Sequence, residues 1–237
     1  MAKLILLRHG QSVWNQLNLF TGWVDIPLSE KGIEESFASG RAIKDIPIDV
    51  IFTSALIRAQ MTAMLAMTLH SSRKVPMLMP PLTAQSSAAL NGEVLPGAWA
   101  KIYSPKTQAD CIPVFPAQEL NERMYGELQG LNKDETRQRF GAEQVQIWRR
   151  SFDVVPPQGE SLAMTCARAL PFFEAKILPY LVKGDNVLVV AHGNSLRAIM
   201  MKLDHLTKEQ VVHLELATGE PIIYDFLNGI FTKQGGQ

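Results

Sequence analysis

Short runs of consecutive apolar residues recur along the chain, and longer amphipathic stretches separate them. Four of these runs, at residues 4–7, 49–52, 187–190 and 222–226, are rich in β-branched side chains. Such runs are typical of strands that are buried on both faces of a sheet. The pattern therefore predicts a sheet that is covered by other elements on both sides.

Helical periodicity fills most of the intervals between these runs. Ser29 is placed to cap a helix over about 30–45, and two further long helices are predicted over about 55–69 and 161–181. Pro171 lies inside the last of these helices and predicts a kink, because proline cannot donate a backbone hydrogen bond. Shorter helices are predicted at residues 133–140, 143–150 and 195–203. Strands that alternate with helices predict a layered α/β fold.

Residues 71–116 depart from this alternation. Prolines are interspersed there with serine, glycine and alanine, so no long helix is expected. We interpret this stretch as a long excursion within a single domain over residues 1–237, with a short hairpin around residues 75–79.

The charge balance argues against partners that bind through a general electrostatic field. Lys plus Arg total 23 and Asp plus Glu total 23, so the formal net charge is zero, and we expect neither nucleic acid nor a membrane as partner. No apolar run approaches the ~20 residues needed to cross a bilayer. Cys111 and Cys166 lie far apart without a CxxC pair, which is typical of a protein of the reducing cytoplasm.

Common nucleotide, metal and hydrolase motifs are missing from the sequence. It contains no GxxxxGK[ST], GxGxxG, HExxH or GxSxG. The histidines, at positions 9, 70, 192, 205 and 213, show no zinc-ligand spacing, so no metal is expected.

A strand that ends on His-Gly occurs twice, as LILLRHG at residues 4–10 and VLVVAHG at residues 187–193. A third strand, DVIFTS, leads into a helix with Arg58 in its first turn. Ligands of open α/β sheets bind at the carboxyl ends of the strands, so His9, His192 and Arg58 are expected to share one crevice. Arginine and helix-start amides suit a phosphate dianion, and we expect the glycine after each histidine to let backbone approach the ligand.

Each of these residues taken alone also has an ordinary interpretation. A single histidine at a strand end is more often a hydrogen-bonded structural residue, and a single arginine is more often a solvated surface charge. The repetition of strand-His-Gly favours the shared phosphate site.

The order of several longer motifs resembles the cofactor-dependent phosphoglycerate mutases of the histidine phosphatase superfamily. These motifs are RHGQSVWN from Arg8, FTGW from Phe20, PLSEKG from Pro27, SALIR from Ser54, LNERMYGELQGLNK from Leu120, WRR from Trp148 and AHGNSLR from Ala191. The RHG triplet marks only the superfamily, whereas its combination with FTGW, ERMYG, WRR and HGNS is specific to the mutases.

The resemblance implies a three-layer α/β/α fold with a mostly parallel sheet. It also implies interconversion of 3-phosphoglycerate and 2-phosphoglycerate through a phosphohistidine that is primed by 2,3-bisphosphoglycerate. In this reading His9 is the nucleophile, Glu122 donates and accepts the proton, and His192 stabilises the transition state, while Arg8 and Arg58 hold the phosphate. Further substrate contacts are implied for Ser12, Asn15, Thr21, Gly22, Arg123, Tyr125, Lys133, Arg149, Arg150, Gly193 and Asn194. Homodimers are the assembly that the resemblance implies, since members of the family often form dimers or tetramers.

The chemistry sets a condition on His9. Its ring must be neutral to attack phosphorus, so one nitrogen has to donate its proton to a neighbour, for which we expect a backbone carbonyl, while the other stays free. Surrounding cations favour the neutral ring.

Two departures from the family pattern leave a rival function open. Met124 stands where these mutases usually carry histidine, and after Pro156 and Pro157 the chain passes straight to QGESL, where longer members insert a charged loop. A mutase must protect its phosphohistidine from water. The alternative is therefore a phosphatase of the same superfamily that admits water and hydrolyses small phosphate monoesters, and a binding protein without activity is a third, less favoured reading.

Overall fold

A computed structural model of the chain describes residues 1–79, 102 and 104–235. The strands of these residues are β1 (Ala2–Arg8), β2 (Val50–Ser54), β3 (Val75–Leu78), β4 (Cys111–Ala117), β5 (Val187–Ala191), β6 (Pro221–Leu227) and β7 (Ile230–Lys233). They form one sheet in the order β3-β4-β2-β5-β1-β6-β7. Neighbours from β3 to β1 pair in parallel, and β6 and β7 add antiparallel pairs at one edge. The predicted α/β fold with a mostly parallel sheet is confirmed.

The helices of the described residues are α1 (Val13–Gln16), α2 (Glu30–Ile43), α3 (Ile57–Met67), α4 (Pro105–Ala109), α5 (Lys133–Phe140), α6 (Ala142–Arg150), α7 (Leu162–Phe172), α8 (Leu178–Lys183), α9 (Gly193–Leu203) and α10 (Lys208–His213). Short 3₁₀ turns occupy Gln118–Leu120 and Gly126–Leu128. Within the described ranges, none of the helices combines the length and apolar character that crossing a membrane requires.

Two apolar clusters cover the two faces of the sheet. Along β1, Leu4 and Leu6 belong to one cluster together with α9, whereas Ile5 belongs to the other together with α2 and α3. This alternation follows from the two-residue period of a strand. Every residue of β2 and of β5 is buried, as expected for strands that lie between two helical layers.

The long helix predicted over residues 161–181 consists of three helical segments. Ser161 caps α7 by accepting a hydrogen bond from the Met164 amide at 3.2 Å. Two residues after Pro171 the chain widens into a π-helical turn, Phe173–Ile177, before α8 begins. The turn directs Phe173 and Ile177, both fully buried, into the core. The π-helical turn is thus close to the proline in sequence, and the kink expected at Pro171 stays a prediction.

The predicted hairpin around residues 75–79 is wrong. Val75 pairs with Cys111 in a parallel register, so β3 is an edge strand beside β4. Pro113 and Pro116 argue against a strand at β4, because proline is rare inside sheets. Each proline, however, lacks only its own backbone N–H donor and leaves the other hydrogen bonds of the strand possible. The Val114 carbonyl between them accepts a hydrogen bond from the Met79 amide at 2.8 Å, so the pairing continues. The rest of the excursion, residues 80–101 and 103, lies outside the described residues, and the single-domain boundaries stay a prediction.

Candidate active site

The two His-Gly turns lie side by side because their strands are neighbours in the sheet. Arg8 at the end of β1 pairs with Ala191 at the end of β5, and the His9 amide extends the pairing to the Ala191 carbonyl at 3.0 Å. The next residues along each strand are therefore adjacent. The ring centroids of His9 and His192 lie 4.8 Å apart.

The His9 ring is held in one tautomer. Its Nδ1 lies 2.6 Å from the Gly10 carbonyl oxygen. Because a carbonyl only accepts, Nδ1 carries the proton and Nε2 is the free nitrogen. Burial, followed by the charges of Arg58 and Arg8, holds the pKa of His9 well below its usual value of 6.5. The ring is therefore neutral near pH 7, with a backbone carbonyl as the proton acceptor that the chemistry requires.

Gly10 packs closely against the start of α2. A Cβ at this position would lie 2.3 Å from the Gly32 carbonyl oxygen, and the Gly10 amide donates to Thr62 Oγ1 at 3.1 Å. Its missing side chain therefore makes room for α2, and the expectation that Gly10 lets backbone approach the ligand stays a prediction. Gly193 does face the site, since its nearest neighbours are the side chains of Arg197, Arg8 and Glu122.

His192 is fixed from the neighbouring strand. Its Nε2 lies 2.6 Å from Ser54 Oγ at the end of β2, and its Nδ1 is buried without a hydrogen-bond partner among the described residues. Burial and then the charge of Arg58 keep the pKa of His192 well below its usual value. Both rings at the strand ends are therefore neutral.

Arg58, in the first turn of α3, lines the same cavity, and its charge acts on both rings. It is 1% exposed, and its terminal nitrogens donate to the carbonyls of Val24 and Gly22 at 2.9 and 2.8 Å. Burial lowers its pKa to about 10, opposed by the charge of Glu122, so it stays charged at pH 7. Arg8 donates through Nη1 to the Leu216 carbonyl at 2.6 Å, while its buried Nε has no partner within the described part of the chain.

One oxygen of the Glu122 carboxylate accepts three hydrogen bonds, and the other accepts none from the residues that the structure describes. Oε1 accepts from the Asn194 side chain at 2.8 Å, from the Asn194 amide at 3.3 Å and from the Arg123 amide at 2.7 Å. Oε2 lies 3.8 Å from where a Gly193 Cβ would be, on the same cavity as His9. This arrangement orients the carboxylate and leaves one oxygen to exchange a proton.

A cavity of about 260 Å³ opens at this edge of the sheet, and most of the predicted site residues line it. They are Arg8, His9, Asn15, Thr21, Gly22, Arg58, Glu122, Tyr125, Lys133, Arg149, Arg150, Gly193 and Asn194. The sequence motifs thus converge from widely separated parts of the chain.

The cavity lining does not include Ser12, Arg123 or His192. Ser12 caps α1 by accepting from the Asn15 amide at 3.1 Å. Arg123 is fully buried, and its Nη2 donates to Tyr125 Oη at 3.2 Å and to the Arg149 carbonyl at 3.0 Å. Ser12 thus holds Asn15 in place, and Arg123 holds Tyr125 and Arg149, all of which line the cavity.

The sequence predictions missed two charged residues of the lining. Arg197 lies one turn into α9, donates to Asn194 Oδ1 at 3.3 Å, and has its pKa lowered to about 10 by burial and by Arg150. Its signal was its place in the AHGNSLR motif, on the helix predicted over residues 195–203. Glu215 pairs with Arg150 at 2.6 Å and lies 3.9 Å from Arg197. It follows α10 in a loop, and no local pattern singles it out.

The cavity is strongly cationic. Burial, followed by Arg149 and Arg8, lowers the pKa of Lys133 to about 8. Burial by itself would raise the pKa of Tyr125, but the positive charges of Arg123 and Arg149 bring it below the usual value. So many positive groups suit a ligand with more than one anionic group. No cluster of His, Cys, Asp and Glu suited to a metal ion occurs among the residues that the structure describes.

A family model described as the histidine phosphatase superfamily, branch 1, matches residues 4–77 and 100–233. The chain belongs to the histidine phosphatase superfamily. Within it, the 2,3-bisphosphoglycerate-dependent phosphoglycerate mutase of Protochlamydia amoebophila (strain UWE25) is 61% identical over 234 residues, which are 99% of both chains. The enzyme of the same name from Chlamydia muridarum (strain MoPn / Nigg) is 53% identical, covering 98% of this chain and 97% of the relative.

A solved structure shares the fold of this chain. Bacillus stearothermophilus YhfR superposes with a TM-score of 0.72 over 99% of this chain and 96% of its own, at 22% sequence identity. At that identity the likeness supports the architecture alone.

Proposed function

We propose that the protein is an isomerase that interconverts 3-phosphoglycerate and 2-phosphoglycerate, a step of glycolysis and gluconeogenesis, through a phosphohistidine primed by 2,3-bisphosphoglycerate. The observation that carries this proposal is the free Nε2 of a neutral His9 in a cationic cavity that also holds the Glu122 carboxylate. The 61% identity to the Protochlamydia mutase over the whole chain supports the same reaction.

His9 is the nucleophile in this mechanism. Its Nε2 lone pair forms the N–P bond as the P–O bond to the glycerate oxygen breaks, and that bond pair leaves on the oxygen. Charge in phosphoryl transfer lies largely on the equatorial oxygens, so fixed positive groups stabilise the transition state. Arg8 and Arg58 supply them, and His192, whose ring centroid lies 4.8 Å from that of His9, helps to stabilise the transition state from the next strand end.

Glu122 is the general acid and base. Its open Oε2 gives a proton to the departing glycerate oxygen and takes a proton from the attacking hydroxyl in the second half-reaction. The three N–H groups on Oε1 keep the carboxylate in one orientation through both steps.

The donor set fits a bisphosphorylated primer. A buried Arg8 Nε and Thr21 Oγ1 have no hydrogen-bond partners among the described residues, and they lie on the cavity with Lys133, Arg149 and Arg150. When bound, 2,3-bisphosphoglycerate supplies the phosphoryl group that charges His9. Asn15, Gly22, Tyr125, Gly193 and Asn194 complete the contacts to the substrate, and Ser12 and Arg123 act by holding the lining in place. Guanidinium groups provide the positive charge, so we propose that the reaction needs no metal and resists chelators.

The rival reaction is hydrolysis by a superfamily phosphatase. Lys133, Arg149 and Arg150 favour the mutase, because they extend the site beyond what one phosphate requires. The deciding experiment couples 3-phosphoglycerate to enolase with and without catalytic 2,3-bisphosphoglycerate, and measures free phosphate in parallel. The mutase gives primer-dependent 2-phosphoglycerate, whereas release of phosphate without 2-phosphoglycerate refutes the proposal.

Two variants assign the roles. His9→Ala abolishes acid-labile labelling by 2,3-bisphosphoglycerate, and a label that persists locates the nucleophile elsewhere. Glu122→Gln slows turnover by about 10²- to 10⁴-fold, as expected for loss of a general acid. An unchanged rate removes Glu122 from the mechanism.

We also propose a homodimer that works in the cytoplasm on dissolved phosphoglycerates, with neither nucleic acid nor a membrane as partner. The balanced charge and the two free, unpaired cysteines support this setting. Light scattering after gel filtration tests the dimer, and a monomer mass contradicts it.

A further inference from the structure

A partly buried ion pair outside the cavity lies next to the segment that carries Glu122. Arg168 of α7 and Glu160, just before the α7 cap, pair through two contacts, Nε to Oε1 at 3.1 Å and Nη2 to Oε2 at 2.9 Å. Their side chains are 17% and 16% exposed. Neither residue lines the cavity.

Arg168 holds the backbone on the amino-terminal side of the acid and at the acid itself. Its Nη1 donates to the Glu119 carbonyl at 2.7 Å and to the Gln118 carbonyl at 3.3 Å. Its Nη2 donates to the carbonyl of Glu122 at 2.9 Å. The same carbonyl accepts from Trp23 Nε1 at 2.5 Å, and the guanidinium lies 5.5 Å from the Trp23 ring centroid.

Glu160 holds the backbone on the other side. Its Oε2 accepts from the Met124 amide at 3.0 Å, and its own amide donates to the Met124 carbonyl at 2.8 Å. The pair therefore forms hydrogen bonds with the backbone before, at and after Glu122. The peptide that follows Pro157 is close-packed here as well, since a Cβ on Gly159 would lie 2.7 Å from the Met124 carbonyl.

This segment has little regular structure of its own. β4 ends at Ala117, and residues 121–125 lie between two 3₁₀ turns without helical or strand hydrogen bonding. The sheet thus fixes His9 but does not fix the acid. A general acid must lie within about 2.6–3.2 Å of the atom that it protonates, and a displacement of about 1 Å can slow a reaction by about 10²-fold.

We propose that Arg168 and Glu160 are positioning residues that set the place of the Glu122 carboxylate and thereby control proton transfer to the leaving group. The proposal rests on the assignment of Glu122 as the general acid. It gives this pair a different role from that of the phosphate-binding arginines. Loss of these hydrogen bonds slows proton transfer from Glu122 to the leaving group and leaves the phosphate contacts in place.

The test compares two phosphoryl donors that differ in their need for an acid. Transfer from 2,3-bisphosphoglycerate to His9 releases an alkoxide that must be protonated, whereas 4-nitrophenyl phosphate releases a nitrophenolate that leaves unprotonated. Single-turnover phosphorylation of His9 is measured with each donor for Arg168→Ala, Arg168→Lys, Glu160→Gln and Glu122→Gln. Lys202→Ala on α9, which removes an exposed ion pair with Glu174, is the control.

The expected result is a loss that depends on the leaving group. Arg168→Ala slows transfer from the bisphosphate by about 10- to 100-fold. It slows transfer from the nitrophenyl ester by less than about threefold. Glu122→Gln is expected to show the same dependence on the leaving group. Arg168→Lys behaves like Arg168→Ala, because lysine keeps the charge but cannot hold the Glu160 carboxylate and the backbone carbonyls together. Glu160→Gln shows the same dependence on the leaving group with a smaller loss of rate. If Arg168→Ala does not fold, the result for Glu160→Gln tests the proposal in its place.

Other results overturn the proposal. Equal slowing with both donors means that the pair merely stabilises the fold, and full activity of Arg168→Lys means that only its charge matters. If Glu122→Gln itself shows no dependence on the leaving group, the general acid assignment fails and the inference falls with it. If Glu122→Gln shows that dependence and Arg168→Ala does not, only the positioning role is refuted.

Discussion

The rings of His9 and His192 lie 4.8 Å apart at the ends of adjacent parallel strands, tilted by 59°. Each is nearly or fully buried, and each faces the charge of Arg58. Protonating either ring would place a cation beside two arginines in a poorly solvated site. The fold therefore keeps both rings neutral.

This neutrality predicts a loss of stability in acid. The folded-state pKa values of both rings lie below the unfolded value of about 6.5, so the unfolded chain binds more protons below that pH. The stabilisation is fully present above pH ~6.5 and is lost as the pH falls, by up to about 1.4 kcal/mol per pH unit for each ring. Urea unfolding between pH 7.5 and 5.5 measures the slope. His192→Asn reduces it, while the control His205→Asn, at an exposed position, leaves it unchanged; equal slopes in all three proteins contradict the prediction.

The lowered pKa of Lys133 predicts that kcat/KM depends on pH above neutrality. Its pKa of about 8 means that the free protein loses this charge as the pH rises from 7 to 9, so kcat/KM for 3-phosphoglycerate falls over that range. Lys133→Arg keeps the charge and flattens the profile. A profile in Lys133→Arg with the same inflection as the natural protein would assign the titration to another group.

Glu215 predicts a gain in affinity when its charge is removed. In the free protein its carboxylate pairs with Arg150 and lies near Arg197, where it competes with an anionic group of the substrate. The side chain is 72% exposed, so solvent screens the pair and the effect is modest. Glu215→Gln lowers KM by about 1.5- to 5-fold, the range of an exposed ion pair, with kcat little changed. Glu174→Gln removes the same charge elsewhere and serves as the control, and an unchanged or higher KM in Glu215→Gln opposes the idea.

The two glycines after the histidines predict opposite outcomes on substitution. A Cβ at Gly10 would meet the Gly32 carbonyl at 2.3 Å, so Gly10→Ala forces backbone to move and destabilises the fold by about 1–3 kcal/mol. The nearest atom to a Cβ at Gly193 is the flexible end of Arg197 at 3.4 Å. The Gly193→Ala protein therefore keeps most of its stability, and its KM for 3-phosphoglycerate rises instead. Thermal unfolding and steady-state kinetics of both variants check this, and equal stability of the two would be against it.

Most of the secondary structure followed from local patterns. The runs at residues 4–7, 49–52 and 187–190 form β1, β2 and β5, and α5 has the predicted bounds. The strands that were missed are β4, which lies next to the edge strand β3, and the edge strand β7. Pro113 and Pro116 concealed β4, whose pairing is supplied by its neighbours. β7 had a usable signal in Asn228-Gly229, both with positive φ, which is typical of a tight hairpin.

The sequence by itself determined that His9, His192 and Arg58 come together, because His-Gly at strand ends and an arginine at a helix start are local features whose consequence follows from parallel pairing. Glu122 and the further contacts were implied by the resemblance to the family. Only the tertiary structure decided which nitrogen of His9 is free, that Gly10 serves packing, and that Glu215 and Arg168 reach the site or its support. These depend on contacts between residues far apart in the chain, such as Arg168 with Glu122 and Arg150 with Glu215. Local periodicity carries no information on such distances, since they are set by how the layers pack.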